Sequence, residues 1–206
     1  MNRKTRAHFV EETLNRLFPN PQIPLNHQDP FTLLVAVLLS AQCTDERVNK
    51  TTETLFARAD TPEKMAEMPV EEIQKLIYSC GLASTKARAL KSLSKQIIQR
   101  FDSAVPHTFS ELESLPGVGH KTASVVLIQA FGIPAFPVDT HIFRVAKRWG
   151  LARGKHVREV EEELKSLFPK KRWARLHLQM ILYARKFCPA RNHSLSACPI
   201  CSKLGT

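Results

Sequence analysis

Apolar positions recur at helical spacing along almost the whole chain. Ala7, Val10, Leu14 and Leu17 share one face of a segment from Arg3 to Phe18, the three- and four-residue spacing that places side chains on one stripe of a helix. Pro19, Pro21 and Pro24 end that segment and make a linker, because proline has no amide to donate within a helix. Asp29 followed by Pro30 reads as a cap and a first helical residue. From Phe31 to Leu39 the chain is apolar on every side, which predicts the buried central helix of a bundle. Asp45 is the expected cap of the next helix, through Val48, Leu55 and Phe56. Thr61-Pro62-Glu63 opens another, and Val70, Ile73 and Ile77 line a further one that stops at Gly81. A helix from near Ser84 carries Lys86, Arg88, Lys91 and Lys95 as a cationic face. Thr108-Phe109-Ser110-Glu111 has the pattern of a capping box. Four more helices follow: Lys121 to Phe131, a helix after Asp139, Val157 to Phe168, and one from Pro169 through Trp173, Leu176, Met180 and Tyr183. No stretch alternates in the manner of a strand, and no repeat or low-complexity segment interrupts the pattern. The fold class is therefore all-α.

Two stretches do not fit a purely structural reading. Leu115-Pro116-Gly117-Val118-Gly119-His120-Lys121 is a glycine hairpin that opens a helix. Glycine admits backbone conformations and close approaches that a Cβ forbids, and free amides at a helix start attract phosphate. Val138-Asp139-Thr140-His141 follows Pro137 at the start of another helix. Singly, these are a turn, a solvated lysine and an N-cap aspartate. Their succession in one chain points to an amine and a carboxylate beside a phosphate cradle.

Composition narrows the partner. Thirty Lys and Arg against nineteen Asp and Glu give a formal net charge of +11, which favours a polyanion. No apolar run approaches the length needed to cross a bilayer, and the first residues lack the apolar core of a signal peptide. The expected location is the cytoplasm, and for a bacterial protein the nucleoid. Five cysteines at uneven spacing argue against a disulfide framework. Cys43 and Cys80 read as buried, inert thiols, whereas Cys188, Cys198 and Cys201 cluster near the C-terminus, the last two as Cys198-Pro199-Ile200-Cys201.

Leu115 to Lys121, together with Val138-Asp139-Thr140-His141-Ile142-Phe143-Arg144, resembles the helix-hairpin-helix plus Gly/Pro–Asp signature of DNA glycosylases. Within that superfamily the chain is most similar to the endonuclease III family of oxidised-pyrimidine glycosylases with AP lyase activity. The likeness extends to Leu38-Leu39-Ser40-Ala41-Gln42-Cys43-Thr44-Asp45 and to Gly81-Leu82-Ala83-Ser84-Thr85-Lys86-Ala87. It implies a six-helix module at residues 23–133 carrying the hairpin, a second helical module from residues 1–22 and 134–206, and an active-site groove between them. It implies Lys121 as nucleophile and Asp139 as catalytic carboxylate. Cleaving an N-glycosidic bond builds positive charge on the sugar, which a carboxylate stabilises. An amine attacking C1′ gives a Schiff base, and loss of a C2′ proton then breaks the strand by β-elimination. Attack at neutral pH needs the amine free of its proton, which burial, the helix N-terminus and nearby cations favour.

The resemblance further implies that Gln42 fills the gap left by an extruded base and that Leu82 wedges into the stack. A leucine after a helix end is equally read as a capping contact. Gly117, Val118, Gly119, His120 and His141 complete the DNA-binding set, and Gly117 and Gly119 lend amides to one phosphate without reading sequence. The expected partner is double-stranded DNA carrying damaged bases or abasic sites, bound by a monomer.

In the cysteine tail the resemblance implies a [4Fe–4S] cluster, but the spacing departs from the family. The gap from Cys188 to Cys198 is longer, and the position for a fourth cysteine falls at or beyond Thr206. Three outcomes stand: a cluster on three cysteines plus another ligand such as His193, a zinc ion on Cys188, His193, Cys198 and Cys201, or no metal. Two other functions also stand. A non-catalytic helix-hairpin-helix binder needs neither Lys121 nor Asp139. Glycosylases of the same fold act on mismatched adenine or oxidised guanine. The adenine enzymes lack a lysine at the position of Lys121, and they carry a glutamate where this chain has Val35-Ala36-Val37-Leu38-Leu39.

Overall fold

The computed structural model describes residues 1–205; Thr206, at or beyond which a fourth tail cysteine is expected, lies outside the described residues. These residues form α-helices and short 3-10 turns with no strand among them. The chain divides into two compact units: Ile23–Ile133, and Met1–Gln22 together with the chain from Pro134 on.

The unit Ile23–Ile133 is built around the apolar run. Numbering helices along the chain, with α1 in the other unit, it holds α2 (Pro30–Leu39), α3 (Asp45–Phe56), α4 (Pro62–Glu67), α5 (Val70–Leu76), α6 (Ala83–Phe101), α7 (Phe109–Glu113) and α8 (His120–Phe131). Every side chain of α2 from Phe31 to Leu39 is buried. The helix starts where a reciprocal cap forms: the Thr32 amide donates to Asp29 Oδ1 at 2.8 Å, and the Asp29 amide donates to Thr32 Oγ1 at 3.0 Å. Pro30 adds a preset backbone at the first helical position. Helices α3, α6 and α8 pack on α2, while α4 and α5 cover α6. One cap differs from expectation. Thr44, not Asp45, precedes α3, and its hydroxyl accepts from the Arg47 amide at 3.4 Å. Asp45 is instead the first helical residue, where its charge meets the positive end of the helix. Before α7, Thr108 Oγ1 accepts from the Glu111 amide at 3.3 Å and donates to the Glu111 carboxylate at 2.6 Å.

The other unit holds α1 (Arg3–Leu17), α9 (Thr140–Arg148), α10 (Val157–Leu167), α11 (Trp173–Lys186) and α12 (Pro199–Leu204). Helix α11 packs against α9 and α1, and α12 against α1. The core centres on Trp149 and Tyr183, whose rings meet edge-on at 5.3 Å, a favoured aromatic arrangement. The segment after Pro169 makes a 3-10 turn, Lys170–Arg172, before α11 begins. There the Trp173 indole N–H is held by the Phe168 carbonyl at 2.8 Å. Helix α12 is an element the sequence did not suggest: six residues opened by Pro199, with Ile200, Cys201 and Leu204 in the core. No helix among the described residues is long and apolar enough to cross a membrane.

Candidate nucleic-acid interface and metal centre

The hairpin joins α7 to α8, and its two glycines do different things. Gly117 has φ +79, and a Cβ there would sit 3.0 Å from Ala89 Cβ and 3.1 Å from Leu38 Cδ1. This position needs glycine for the fold itself. Gly119 precedes α8 with φ −97, and a Cβ there would meet nothing within 4 Å. The described residues give no reason for glycine at Gly119. No side chain among the described residues caps α8, so the first turn keeps the amide-rich end that suits an anion.

Leu115 and Val118 anchor the hairpin in the core, and the Val118 amide is used by the Leu115 carbonyl at 3.1 Å. His120 is exposed, stacks on Phe109 at 5.1 Å and meets the Glu113 carboxylate through Nδ1 at 2.7 Å. It holds the two helices of the hairpin together. Lys121 is exposed on the first turn of α8.

Gln42 and Leu82 share an unusual backbone. Gln42 has φ +56 and Leu82 φ +50, both are exposed, and neither is a residue type that favours this region. Holding an L residue there costs roughly 1–2 kcal/mol. The two loops are joined by Lys86, a residue that sequence reasoning placed on a cationic surface. Its side chain is buried, and its Nζ donates to the carbonyls of Leu39 at 2.9 Å, Ala41 at 2.8 Å and Cys80 at 2.8 Å. One ammonium thus ties the end of α2 and the residue before Gln42 to the turn before Leu82. Burial pushes its pKa down, partly offset by the nearby Cys80 and Cys43 sulfurs.

Lys91 is likewise occupied, donating to the Met68 carbonyl at 2.7 Å. A signal for Lys86 was present in the sequence: it falls on the stripe of Leu90, Leu93 and Ile97 that faces the core. Replacing Lys86 by methionine leaves three carbonyls without their donor, two of them, of Leu39 and Cys80, in buried hydrogen bonds. Unfolding in urea will show a loss of about 3 kcal/mol.

In the other unit, Asp139 caps α9. Its Oδ1 accepts the Ile142 amide at 2.8 Å, and the residue is half-buried. His141 Nδ1 lies 3.3 Å from Arg144 Nη2, which also donates to the Cys188 carbonyl at 3.0 Å. The cysteine tail is thereby fastened to α9.

Cys188, His193, Cys198 and Cys201 come together, with one ligand atom from each lying within 4.8 Å of all the others. The three cysteines are buried in the core of this unit, and the set is compatible with a metal site. Arg148 Nη1 donates to Cys188 Sγ at 3.1 Å. The Ile200 amide donates to Tyr183 Oη at 2.8 Å, leaving the hydroxyl proton for Cys198 Sγ at 3.3 Å. Burial pushes the Cys188 and Cys201 thiols up. Burial acts on Cys198 in the same sense, but hydrogen bonds from Tyr183, the Cys201 amide and the neighbouring thiols outweigh it and hold Cys198 below its ordinary value.

Comparison with known proteins gives consistent matches. The family described as "HhH-GPD superfamily base excision DNA repair protein" matches residues 35–170. Endonuclease III of Bacillus subtilis (strain 168) is 45% identical over 195 residues, covering 94% of this chain and 89% of the relative. Endonuclease III of Escherichia coli (strain K12) is 42% identical, covering 97% and 94%. Two solved structures superpose with a TM-score of 0.93 at 42% identity, again covering 97% of this chain and 94% of theirs. One is a non-covalent endonuclease III–DNA complex and the other a trapped endonuclease III–DNA covalent intermediate.

Proposed function

The chain belongs to the HhH-GPD superfamily of base excision DNA repair proteins and, within it, to the endonuclease III family, and from this premise we propose how its residues act. The protein is a DNA glycosylase and AP lyase that removes oxidised pyrimidines from duplex DNA. It works as a monomer on DNA in the cytoplasm. Similarity to a relative trapped covalently on DNA supports an amine mechanism. The single observation that carries the assignment to residues is an exposed amine, Lys121, two residues past Gly119 on a helix start whose geometry leaves room for a phosphate.

The base leaves the stack first, because C1′ is shielded within the duplex. Gln42 and Leu82 then occupy the space it vacates, which offsets part of the unstacking cost. Their left-handed backbones support this role, since local strain clusters where a protein meets its ligand. Lys121 attacks C1′ with its free electron pair, and the base departs with the glycosidic pair and takes up a proton. Asp139 stabilises the positive charge that develops on the sugar. Opening of the sugar ring gives the Schiff base. Loss of a C2′ proton then expels the 3′ phosphate, and water releases the lysine from the sugar remnant. Amides near Gly119 and the side chain of His141 position the backbone without reading sequence.

The three thiolates and one imidazole of the tail would hold its metal, which supplies a rigid brace rather than a reacting group. Arg148 and Arg144 fasten that brace to α9, the helix that Asp139 caps.

The proposal is tested on a duplex bearing a thymine glycol. The expected products are free base and a strand cut on the 3′ side of the lesion. Tight binding with neither product would overturn it in favour of a non-catalytic binder. Replacing Leu82 by glycine separates strain from function. Stability rises by about 1 kcal/mol as the left-handed backbone is relieved, while base release from the same duplex falls about tenfold because the wedge is gone. A merely structural Leu82 would leave base release unchanged.

A further inference from the structure

The tail set differs from a cluster site in chemistry and in size. A [4Fe–4S] cubane takes four thiolates, one on each of four separate irons. Its ligand sulfurs therefore stand well apart, around a body of eight atoms. A single tetrahedral ion draws its ligands much closer. With Zn–S near 2.3 Å, two thiolates on one zinc lie ~3.8 Å apart. Cys188 Sγ and Cys201 Sγ are 3.8 Å apart, and all four ligand atoms fall within 4.8 Å of one another. The Cys188–Cys201 separation is that of two thiolates on one ion.

A second, independent observation concerns His193. Its Nε2 is buried and has no hydrogen-bond partner, although the rest of the residue is only half-buried. A buried imidazole nitrogen left without a donor or acceptor loses free energy unless a ligand takes it. The turn that delivers it passes through Asn192 in the left-handed region at φ +55, so the loop from Cys188 folds back to bring the ring over the sulfurs. Three thiolates and one imidazole are a common donor set of structural zinc. The surroundings match its charge. Three thiolates on a divalent ion leave one net negative charge, and the Arg148 guanidinium rests on the Cys188 sulfur while the Tyr183 hydroxyl rests on that of Cys198. Such contacts orient ligands and tune the ion they hold.

We propose that Cys188, His193, Cys198 and Cys201 hold one tetrahedral zinc ion in place of the iron–sulfur cluster of the family. The zinc staples the Cys188–Cys198 loop and α12 to the unit that carries Asp139. It does so without redox chemistry.

The test uses the full chain, produced with both iron and zinc supplied and purified without oxygen. Metal and acid-labile sulfide are counted, and the visible spectrum is recorded. The expected result is one zinc per chain, no sulfide and no cluster absorption. Exchange with cobalt(II) should give the intense ligand-field bands of a tetrahedral thiolate site. His193→Ala should weaken zinc binding by at least about a hundredfold, since loss of an outer contact alone costs about 10–100-fold. His193→Cys should restore it, which guards against a His193→Ala chain that simply fails to fold. Four irons and four sulfides per chain would overturn the proposal. So would a protein that folds and binds neither metal, or zinc affinity indifferent to both substitutions. None of these readouts depends on glycosylase activity, so the metal assignment and the enzymatic reading fail separately.

Discussion

Replacing Lys121 by alanine removes base release and strand cleavage by about a thousandfold or more, the scale seen when a covalent nucleophile is lost. Lys121 is exposed on the first turn of α8, and among the described residues its side chain makes no hydrogen bond or ion pair. Its loss therefore leaves the unfolding curve where it was. Binding to a lesion-bearing duplex weakens by no more than a few-fold, because one cation among thirty is removed. The combination of full folding, near-native binding and no turnover separates a nucleophile from a structural or phosphate-binding lysine. The check is single-turnover kinetics on a thymine glycol duplex with enzyme in excess, beside a filter-binding isotherm at the same salt concentration. Parallel loss of binding and turnover would make Lys121 a phosphate contact instead.

The second large effect concerns Asp139, to which two roles are assigned. As the N-cap of α9 its oxygen receives the Ile142 amide at 2.8 Å. As the proposed catalytic carboxylate it opposes positive charge on the sugar. Asparagine keeps the first role and abandons the second, because its side-chain oxygen caps a helix about as well while carrying no charge. Asp139→Asn should therefore keep its stability within about 0.5 kcal/mol and lose about 100- to 1000-fold in the rate of base release. Asp139→Ala should lose as much rate and about 1 kcal/mol of stability besides. The asparagine variant measures the charge, and the difference between the two variants measures the cap. An asparagine variant that retains its rate would reduce Asp139 to a cap.

How far the sequence carried these conclusions depends on the physics at each position. Helix α2 was legible in full, because the seven successive apolar residues from Leu33 to Leu39 admit one reading and Asp29-Pro30 marks the start without ambiguity. The hairpin was legible as a turn, but not the division of labour within it. Gly117 is fixed by Ala89 and Leu38, which belong to other helices, and no local pattern reveals such neighbours. Lys86 was misread as surface because a lysine is rarely buried. Its place on the apolar stripe of α6 outweighed that prior, since three carbonyls were waiting for an ammonium.

The left-handed backbones of Gln42 and Leu82 were invisible for a similar reason: neither residue type announces that conformation. In the tail, the sequence offered Cys188, Cys198 and Cys201, with His193 as one candidate fourth ligand, but not their separation. That separation, and the unpartnered nitrogen of His193, are what the proposal of one ion rests on. Cap positions moved by a residue, as at Thr44 and Asp45. Adjacent polar residues at a helix start compete for the same amides, and only the folded backbone decides between them.

The central claim is that Lys121 forms a covalent bond to the sugar. Borohydride trapping tests it most directly, on a thymine glycol duplex and an abasic duplex, with wild type and Lys121→Ala side by side. The account predicts a borohydride-dependent adduct from the wild type on both duplexes, none from the variant, and the modified residue in the peptide containing Lys121. An adduct that persists in the Lys121→Ala protein, or intact DNA binding with no adduct from the wild type on either duplex, would contradict it.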